Sequence, residues 1–270
     1  MGERNLRRAL QHVRRMRGGA QAHLLRCDDQ AFYVTKFQNN PQHLRILANE
    51  LLAALLADAL GLPVARPEVV EVSPELIDNT SELRIQKAGR WQKCLPGFQF
   101  GSRFPGQPNS VLVHDLLPDE HLSEVENLAA FAGMLLFDQW TCNTNGRQVI
   151  FIAEPHQRSG YRALMIDQGF CFNAGEWNFP DSPLRGLYHR QRVYAQVRGW
   201  RSFEPYLSRL EALPPSVLDQ AAAAVPPEWY NADTQTMTRL LEQLDRRRAR
   251  IRELIAAVKN SSRQPFPHWS

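Results

Sequence analysis

The sequence predicts an α+β fold of two lobes, in which a small N-terminal antiparallel sheet carries one long helix and a larger C-terminal lobe is mostly helical. Short strand-like runs separated by turn residues fill the N-terminal part, and one strongly periodic helix interrupts them. Helix-like periodicity dominates the C-terminal part. At 270 residues the chain exceeds the usual size of one domain, so we expect lobes over residues 1–100 and 101–270.

The N-terminal segment is rich in arginine. Leu6, Leu10 and Val13 share one side of a helix, so we expect a basic helix over residues 5–17. Such a helix can bind nucleic acid or acidic lipid, and a solvated surface is the alternative. The segment lacks the apolar stretch of a secretory signal, and no apolar run approaches the length that spans a bilayer. We therefore expect a cytoplasmic protein without a membrane partner.

A glycine-containing turn comes next, followed by two strand-like runs. Gly18, Gly19 and Ala20 belong to the turn, and apolar residues over 23–27 and 31–37 predict two strands. Backbone amides in a glycine-containing turn can closely approach phosphate groups. An ordinary hairpin turn is the alternative interpretation.

Lys36 and Glu50 are the first candidate pair of functional residues. The chain has 4 lysines and 28 arginines, so a lysine inside an apolar strand is notable as a compact point charge. Leucine spacing predicts a helix over residues 42–60, ended by Gly61. Glu50 lies on this helix among small residues, which would let an adjacent strand bring a lysine to its carboxylate. This ion pair positions ATP phosphates in kinases, and a solvated glutamate is the alternative.

Further strands and helices complete the predicted fold. Residues 64–72 and 82–86 predict two strands that would complete the antiparallel sheet against the helix. Glycines within residues 94–108 predict a loop that marks the lobe boundary, and clefts between lobes commonly bind cofactors. The 4 cysteines are widely separated, so we expect neither a disulfide framework nor a zinc site. The predicted C-terminal helices cover residues 124–139, 206–213, 217–225 and 234–258.

A predicted hairpin brings polar residues together. Two apolar runs, joined by a turn over residues 154–160, begin after a polar loop and end at Asp167. In a hairpin, Asn143, Asn145 and Gln148 would lie near that carboxylate. Carboxylate and amide oxygens suit Mg²⁺, which often binds through one or two carboxylates plus substrate phosphates. A surface hairpin with polar ends is the alternative.

Six motifs occur in a fixed order along most of the chain. They are the Gly-Gly-Ala turn, Tyr-Val-Thr-Lys-Phe, Leu-Ala-Asn-Glu-Leu-Leu, Gly-Leu-Pro-Val, Phe-Asp-Gln-Trp-Thr-Cys-Asn-Thr-Asn-Gly-Arg-Gln and Ile-Asp-Gln-Gly-Phe. In this order they resemble the HipA-like kinases, relatives of the protein-kinase and phosphatidylinositol-kinase fold. The resemblance implies a bilobal protein-kinase-like fold that binds Mg·ATP in the cleft. It implies that Lys36 holds the phosphates, steadied by Glu50, beneath the Gly18–Gly19 turn. It also implies that Asp167 binds Mg²⁺ as the counterpart of the kinase DFG aspartate.

One motif departs from the family pattern. The family's catalytic loop is similar to Asn-x-Asp, in which the Asp orients or deprotonates the acceptor hydroxyl, whereas this chain has Asn145 there. An amide can orient a hydroxyl but cannot act as a general base. Ile150 replaces the family's later metal-binding Asn, which leaves Gln148 or Asn143 as substitutes. Asp138 is either the replacement base or a brace for the loop.

The sequence therefore predicts an ATP-dependent protein kinase of low activity that uses ATP and Mg²⁺ and has an unidentified protein substrate or partner. Phosphoryl transfer depends mainly on positioning and electrostatics, so the change at Asn145 is expected to reduce turnover. A pseudokinase acting as an ATP-gated binding module is the second hypothesis. The third is an arginine-rich nucleic-acid-binding regulator, suggested by the N-terminal arginines and by residues 246–250. Acidic residues nearly balance the arginines at a net charge of +4, so we do not expect a nucleic-acid partner.

Overall fold

A computed structural model describes residues 6–153 and 160–269, and this part of the chain contains both strands and helices, which confirms the α+β class. The strands are β1 Leu6–Arg15, β2 His23–Cys27, β3 Phe32–Lys36, β4 Pro67–Val72, β5 Arg84–Lys87, β6 Arg90–Lys93, β7 Gly97–Arg103, β8 Leu112–His114, β9 Gln148–Ala153 and β10 Arg162–Ile166. The α-helices are α1 Ile46–Ala59, α2 Pro74–Asp78, α3 Ala130–Thr141, α4 Tyr206–Glu211, α5 Pro215–Ala224, α6 Thr234–Ala249 and α7 Ile251–Lys259.

Five strands of the N-terminal part close into a barrel in the order β1, β2, β3, β7, β4. Four of the pairings are antiparallel, and a parallel pairing between β1 and β4 closes the barrel. The sheet is therefore mixed, whereas the sequence predicted an antiparallel one. Helix α1 packs against β4 and β7, with its leucines and alanines in the main core. Because β7 pairs with β3, this packing also fixes where the side chains of α1 lie relative to β3.

The predicted basic helix over residues 5–17 is wrong, because residues 6–15 form strand β1. Its backbone pairs with β2 on one side and with β4 on the other. Leu10 and Val13, which suggested a helical face, are 55% and 39% exposed, so that face has no partner to bury it. Pairing with two neighbouring strands outweighs the weak helical spacing.

The predicted loop over residues 94–108 is also wrong, because it contains strand β7. This strand lies between β3 and β4, and the expected lobe boundary between residues 100 and 101 falls inside it. A Cβ at Gly101 would lie 2.5 Å from Val70 Cγ2, so the glycine permits close packing within the barrel. The strand predicted at 82–86 occurs as β5, but it pairs with β6 in a separate sheet.

Helices α1 and α3 begin later than the sequence predicted. Helix α1 starts at Ile46, because the preceding residues form turns in which the amide of Gln42 donates to Asn40 Oδ1 over 2.9 Å. Helix α3 starts at Ala130, after a 3-10 helix at Asp119–Glu124. The C-terminal helices occur near their predicted positions, and the last one is divided into α6 and α7 at Arg250.

Strands β9 and β10 form the predicted antiparallel hairpin. Gln148 pairs with Ile166 and Ile150 pairs with Leu164, so the start of β9 lies beside the end of β10. Residues 154–159 of the predicted turn lie outside the described residues. Every residue of α3 is buried, and this helix leads directly into the loop before β9. Within the described ranges, no helix combines the length and the apolarity needed to cross a bilayer.

Candidate functional site

A cavity of about 440 Å³ is bounded by the barrel, helix α1 and the β9–β10 hairpin. Its volume falls within the usual range for small-molecule sites. Ala65, Ile150 and Leu164 form an apolar cluster along one part of its lining. Lys36 and Asp167 line another part. The cavity thus offers an apolar surface for a flat ring and charged groups for a polar substituent.

Lys36 lies at the centre of the charged part of the cavity. Its ammonium donates to Asp167 Oδ1 at 2.5 Å and also to Glu50 Oε1. The side chains of Lys36 and Glu50 are 6% and 2% exposed, whereas that of Asp167 is 33% exposed. Burial lowers the pKa of Lys36, but the carboxylates of Asp167 and Glu50 outweigh it and raise this pKa above its ordinary value. The lysine therefore stays charged, and the structure brings together the strand and helix residues of the predicted pair.

Glu50 connects helix α1 to the backbone that follows β10. Its second carboxylate oxygen accepts the amide hydrogen of Gln168 at 2.9 Å. A Cβ at Gly169 would lie 2.9 Å from Glu50 Oε1 and 2.6 Å from Ile46 Cγ1, so a glycine is needed for this approach. Burial raises the pKa of the Glu50 carboxyl, while Lys36 opposes this effect.

Asn49 is a positioning residue that the sequence analysis missed. Its side-chain amide donates to the carbonyls of Gly169 and Cys171, each at 2.9 Å, and its oxygen accepts from Trp177 Nε1 at 2.7 Å. Asn49 is fully buried and holds the segment after Asp167 against helix α1. An asparagine beside Glu50 in a leucine-rich helix was the available signal, since a buried amide needs hydrogen-bond partners.

Asp167 directly follows strand β10 and has a left-handed conformation, with φ of +57°. This conformation costs a non-glycine residue about 1–2 kcal/mol, and such strain clusters at functional sites. Gln148 is exposed, lines the same cavity, and is the neighbour across the hairpin of Ile166. Among residues 6–153 and 160–269, no group of three or more His, Cys, Asp or Glu side chains could hold a metal ion. A hard cation here would depend on Asp167, an amide oxygen and the phosphates of a ligand.

Asp138 is fully buried and is held by the loop that follows α3. Arg147 Nε donates to its Oδ2 at 2.8 Å, a second guanidinium nitrogen bonds Oδ1, and Asn143 Nδ2 donates to Oδ1 at 3.0 Å. Arg147 also donates to the carbonyl of Ile166 at 3.1 Å and to Gln168 Oε1 at 2.5 Å. Burial raises the pKa of Asp138, and Arg147 opposes this shift. These contacts match the bracing role that the sequence analysis considered for Asp138.

The other loop amides differ in position. Asn143 is buried, and its Oδ1 accepts the amide hydrogen of Asn145 at 3.1 Å. Asn145 is exposed, and its own Oδ1 accepts from the amide of Gly146 at 2.9 Å. Gln148 lines the cavity, whereas Asn143 and Asn145 do not. Of the three amides predicted near Asp167, the structure therefore brings Gln148 to the cavity.

The turn between β1 and β2 covers part of the cavity and includes Gly18, Gly19 and Ala20. Gly18 has φ of +112°, and a Cβ there would meet nothing within 4 Å, so its backbone is open to a ligand. The turn is held from outside by Gln21, which accepts from the amide of Gln86 and donates to its carbonyl, each at 2.7 Å. The turn residues therefore line the same cavity as Lys36 and Asp167.

The fold resembles that of solved kinases. A structure of the Golgi casein kinase is 15% identical, with a TM-score of 0.54 over 97% of this chain and 78% of that one. A second structure of it, with Mn/ADP bound, is 14% identical, with a TM-score of 0.50 over 96% and 74%. The Helicobacter pylori proinflammatory kinase CtkA is 13% identical, with a TM-score of 0.59 over 93% and 95%. At such identities the likeness concerns the fold, and it supports a kinase-like α+β architecture.

Curated proteins gave no significant match to the sequence. The family model described as HipA-like kinase matches residues 10–261, which is nearly the whole chain. This match confirms the resemblance that the ordered motifs indicated. The chain belongs to the HipA-like kinase family.

Proposed function

We propose that the protein is a bilobal, ATP-dependent kinase that binds Mg·ATP in the cavity and transfers a phosphoryl group to a protein hydroxyl, at low turnover. The barrel and α1 form its nucleotide-binding lobe, and the hairpin and remaining helices form the second lobe. The observation that carries this proposal is Lys36, bound between Glu50 and Asp167 in a cavity that the glycine turn also lines. Membership of the HipA-like kinase family supports the same reaction class.

The residues of the cavity have separate tasks in this proposal. The ammonium of Lys36 binds phosphate oxygens, and Glu50 keeps it oriented. Backbone amides of Gly18, Gly19 and Ala20 bind phosphate oxygens from above, because amide groups in a turn make an anion-binding concavity. The apolar cluster of Ala65, Ile150 and Leu164 contacts the adenine ring.

The residues near Asp167 fit a hard divalent cation. The Asp167 carboxylate and the Gln148 amide oxygen would hold Mg²⁺, which prefers oxygen ligands and often keeps substrate phosphates among them. When bound, the ion supplies charge that neutralises the phosphates during transfer. The Golgi casein kinase structure with Mn/ADP bound supports the use of a nucleotide with a divalent metal in this fold.

Calorimetric titration with ATP, with and without Mg²⁺, tests the binding step. Lys36→Ala and Asp167→Ala should both weaken Mg·ATP binding and abolish phosphoryl transfer to dephosphorylated casein. Lys87→Ala is the matched control, because it removes an exposed lysine that does not line the cavity. Equal binding and transfer in wild type, Lys36→Ala and Asp167→Ala would refute the proposal.

A pseudokinase is the second candidate, and the environment of the loop residues favours it. Asn145 carries an amide in place of a base, and Asp138 is buried and bonded to Arg147. A protein with this loop could bind ATP and signal through its conformation. If wild type binds ATP without transfer and Asn145→Asp creates no transfer, the binding module is favoured. Transfer by the wild-type protein would rule it out.

We do not propose nucleic-acid binding, because internal contacts occupy much of the arginine run at residues 246–250. Arg247 is buried, donates to the carbonyl of Trp140 at 2.8 Å and pairs with Asp181. Arg250 pairs with the same aspartate at 2.9 Å. A band shift of DNA or RNA that disappears steeply with added salt would contradict this view.

A further inference from the structure

Neither Asp138 nor Asn145, the loop residues that the sequence indicated for catalysis, is free to accept a proton. Asp138 is fully buried, with its carboxylate bonded to Arg147 and Asn143. Asn145 carries an amide, and its oxygen already accepts from the backbone. A kinase with this loop therefore needs a proton acceptor from another part of the chain, if it transfers phosphate to a hydroxyl by general base catalysis.

A segment before the 3-10 helix at Gln191–Tyr194 packs directly on the catalytic loop. A Cβ at Gly186 would lie 2.1 Å from Asp138 Cβ, and Gly186 has φ of +67°. A Cβ at Gly146 would lie 3.4 Å from the carbonyl oxygen of Leu187. The first contact is with helix α3 and the second is with the loop that follows it, so the segment lies beside the loop where the kinase family binds its acceptor hydroxyl.

Tyr188 and His189 extend from this segment into the lining of the cavity that also contains Asp167 and Gln148. The hydroxyl of Tyr188 is buried and has no hydrogen-bond partner among the described residues. Buried polar atoms in folded proteins are nearly always hydrogen-bonded, so a ligand in the cavity is a natural partner for this hydroxyl. Its position is a second, independent sign that a polar ligand reaches this end of the cavity.

The backbone on both sides of His189 is anchored. The amide of Tyr188 donates to Tyr194 Oη at 3.0 Å, and Arg190 donates to the carbonyl of Leu117 at 3.0 Å and to Asp119 at 2.6 Å. His189 is exposed, and its imidazole makes no hydrogen bond to any residue that the structure describes. Its ring centroid lies 4.5 Å from that of Tyr188. The ring nitrogens are therefore available on a fixed stretch of backbone.

We propose that His189 is the general base of the reaction, in the role that Asn145 cannot fill. This inference rests on the proposed kinase function. The O–H bond of the acceptor breaks and its proton passes to a free imidazole nitrogen. The acceptor oxygen forms a bond to the γ-phosphorus, while the bond between that phosphorus and the β,γ-bridging oxygen breaks and ADP leaves with the electron pair. The imidazolium then releases its proton to solvent. Histidine is the side chain that most often acts as a general base in enzymes.

Asp115 is the rival base, because it is an exposed carboxylate that lines the same cavity. It follows β8, which pairs Val113 with Ile152 and His114 with Phe151. Continuing that register brings Asp115 towards Ile150, in the apolar cluster and two residues beyond Gln148. Its carboxylate is therefore closer to the expected position of the nucleoside than to the acceptor. Asp115→Asn separates the two assignments.

Transfer to dephosphorylated casein by the full chain tests the role of His189. His189→Ala should lower the rate of transfer roughly 10²–10⁴-fold, which is the usual contribution of a general base. The affinity for Mg·ATP and the melting temperature should stay unchanged, because the side chain is exposed. Free imidazole in the buffer should restore part of the rate to His189→Ala and none to Lys36→Ala. His268→Ala removes an exposed histidine outside the cavity and is the matched control.

A second readout does not depend on turnover. The imidazole resonance of His189, assigned by its loss in His189→Gln, should shift in the NMR spectrum when Mg·ADP is added, and that of His268 should not. Normal transfer by His189→Ala would overturn the proposal, as would loss of transfer in Asp115→Asn combined with an unaffected His189→Ala. A wild-type protein that binds Mg·ATP but phosphorylates neither casein nor itself would also overturn it. Failure to bind Mg·ATP at all would instead refute the proposed function.

Discussion

Replacement of Lys36 by methionine should destabilise the fold, whether or not the protein is catalytic. Methionine keeps much of the lysine stem but removes the ammonium, so the Glu50 carboxylate loses its counterion while 98% of its side chain stays buried, since only 2% is exposed. Removing one partner of a buried ion pair costs about 3–5 kcal/mol. Asp167 is 33% exposed and keeps much of its hydration, so we assign it no share of this cost.

A double-mutant cycle isolates the pair from other effects of the substitution. Lys36→Met, Glu50→Gln and the double variant are unfolded in urea at pH 7 and the free energies of unfolding are compared. Since a neutral glutamine needs no counterion and can still accept from the Gln168 amide, the double variant should recover about 2 kcal/mol relative to additivity. Melting temperatures should fall by roughly 2–4 °C for each kcal/mol lost.

The pH dependence of Lys36→Met gives an internal check. Burial raises the pKa of Glu50 above its value in the unfolded chain, so the native variant binds more protons than the unfolded one between these two values. Its stability should therefore rise as the pH falls from 7 towards 5. Additive losses in the cycle, or a Lys36→Met variant as stable as wild type, would refute the buried pair.

Three further predictions concern residues around the site and in the barrel. Gly169→Ala places a Cβ 2.6 Å from Ile46 Cγ1 and should cost about 1–3 kcal/mol in urea unfolding, whereas Gly199→Ala, with nothing within 4 Å, should be near neutral. Burial lowers the pKa of His23 to about 4. Between pH 6.5 and 4 the unfolded chain therefore binds a proton at this histidine that the folded protein does not bind. The free energy of unfolding should fall by up to about 3 kcal/mol over this range. His23→Gln should flatten that part of the stability profile, and an unchanged slope would contradict the shift. Gln21→Ala frees the turn over the cavity from Gln86 and should weaken Mg·ATP binding in calorimetry with little change in melting temperature; unchanged affinity would exclude a role for this link.

Local sequence patterns predicted those parts of the fold whose buried residues lie close together in the sequence. The leucine spacing of α1 was sufficient because the helix is buried on nearly all sides, and the two apolar runs around residues 149–166 predicted the hairpin. Strand β1 and strand β7 were missed for different reasons. The apolar residues of β1 fit a helix equally well, and only its two neighbouring strands decide its conformation. Strand β7 contains Gly101, whose missing side chain indicates a loop locally but permits contact with Val70 in the barrel.

The candidate site shows the same division. Lys36, Glu50 and Asp167 could be selected from the sequence, because each is a charged residue within or beside an apolar element. The role of Asp138 depends on Arg147 and Asn143, which both donate to its carboxylate from the loop that follows α3. His189 could not be selected, since nothing in its local sequence indicates that its segment packs on the loop.

The order of residues alone determined the α+β class, the membership of a kinase family and the absence of an acidic side chain at Asn145, because these depend on composition and spacing. Only the tertiary structure decided which polar groups are buried against one another and which face the cavity. Desolvation and hydrogen-bond geometry set that choice, and both are properties of neighbours that lie far apart along the chain.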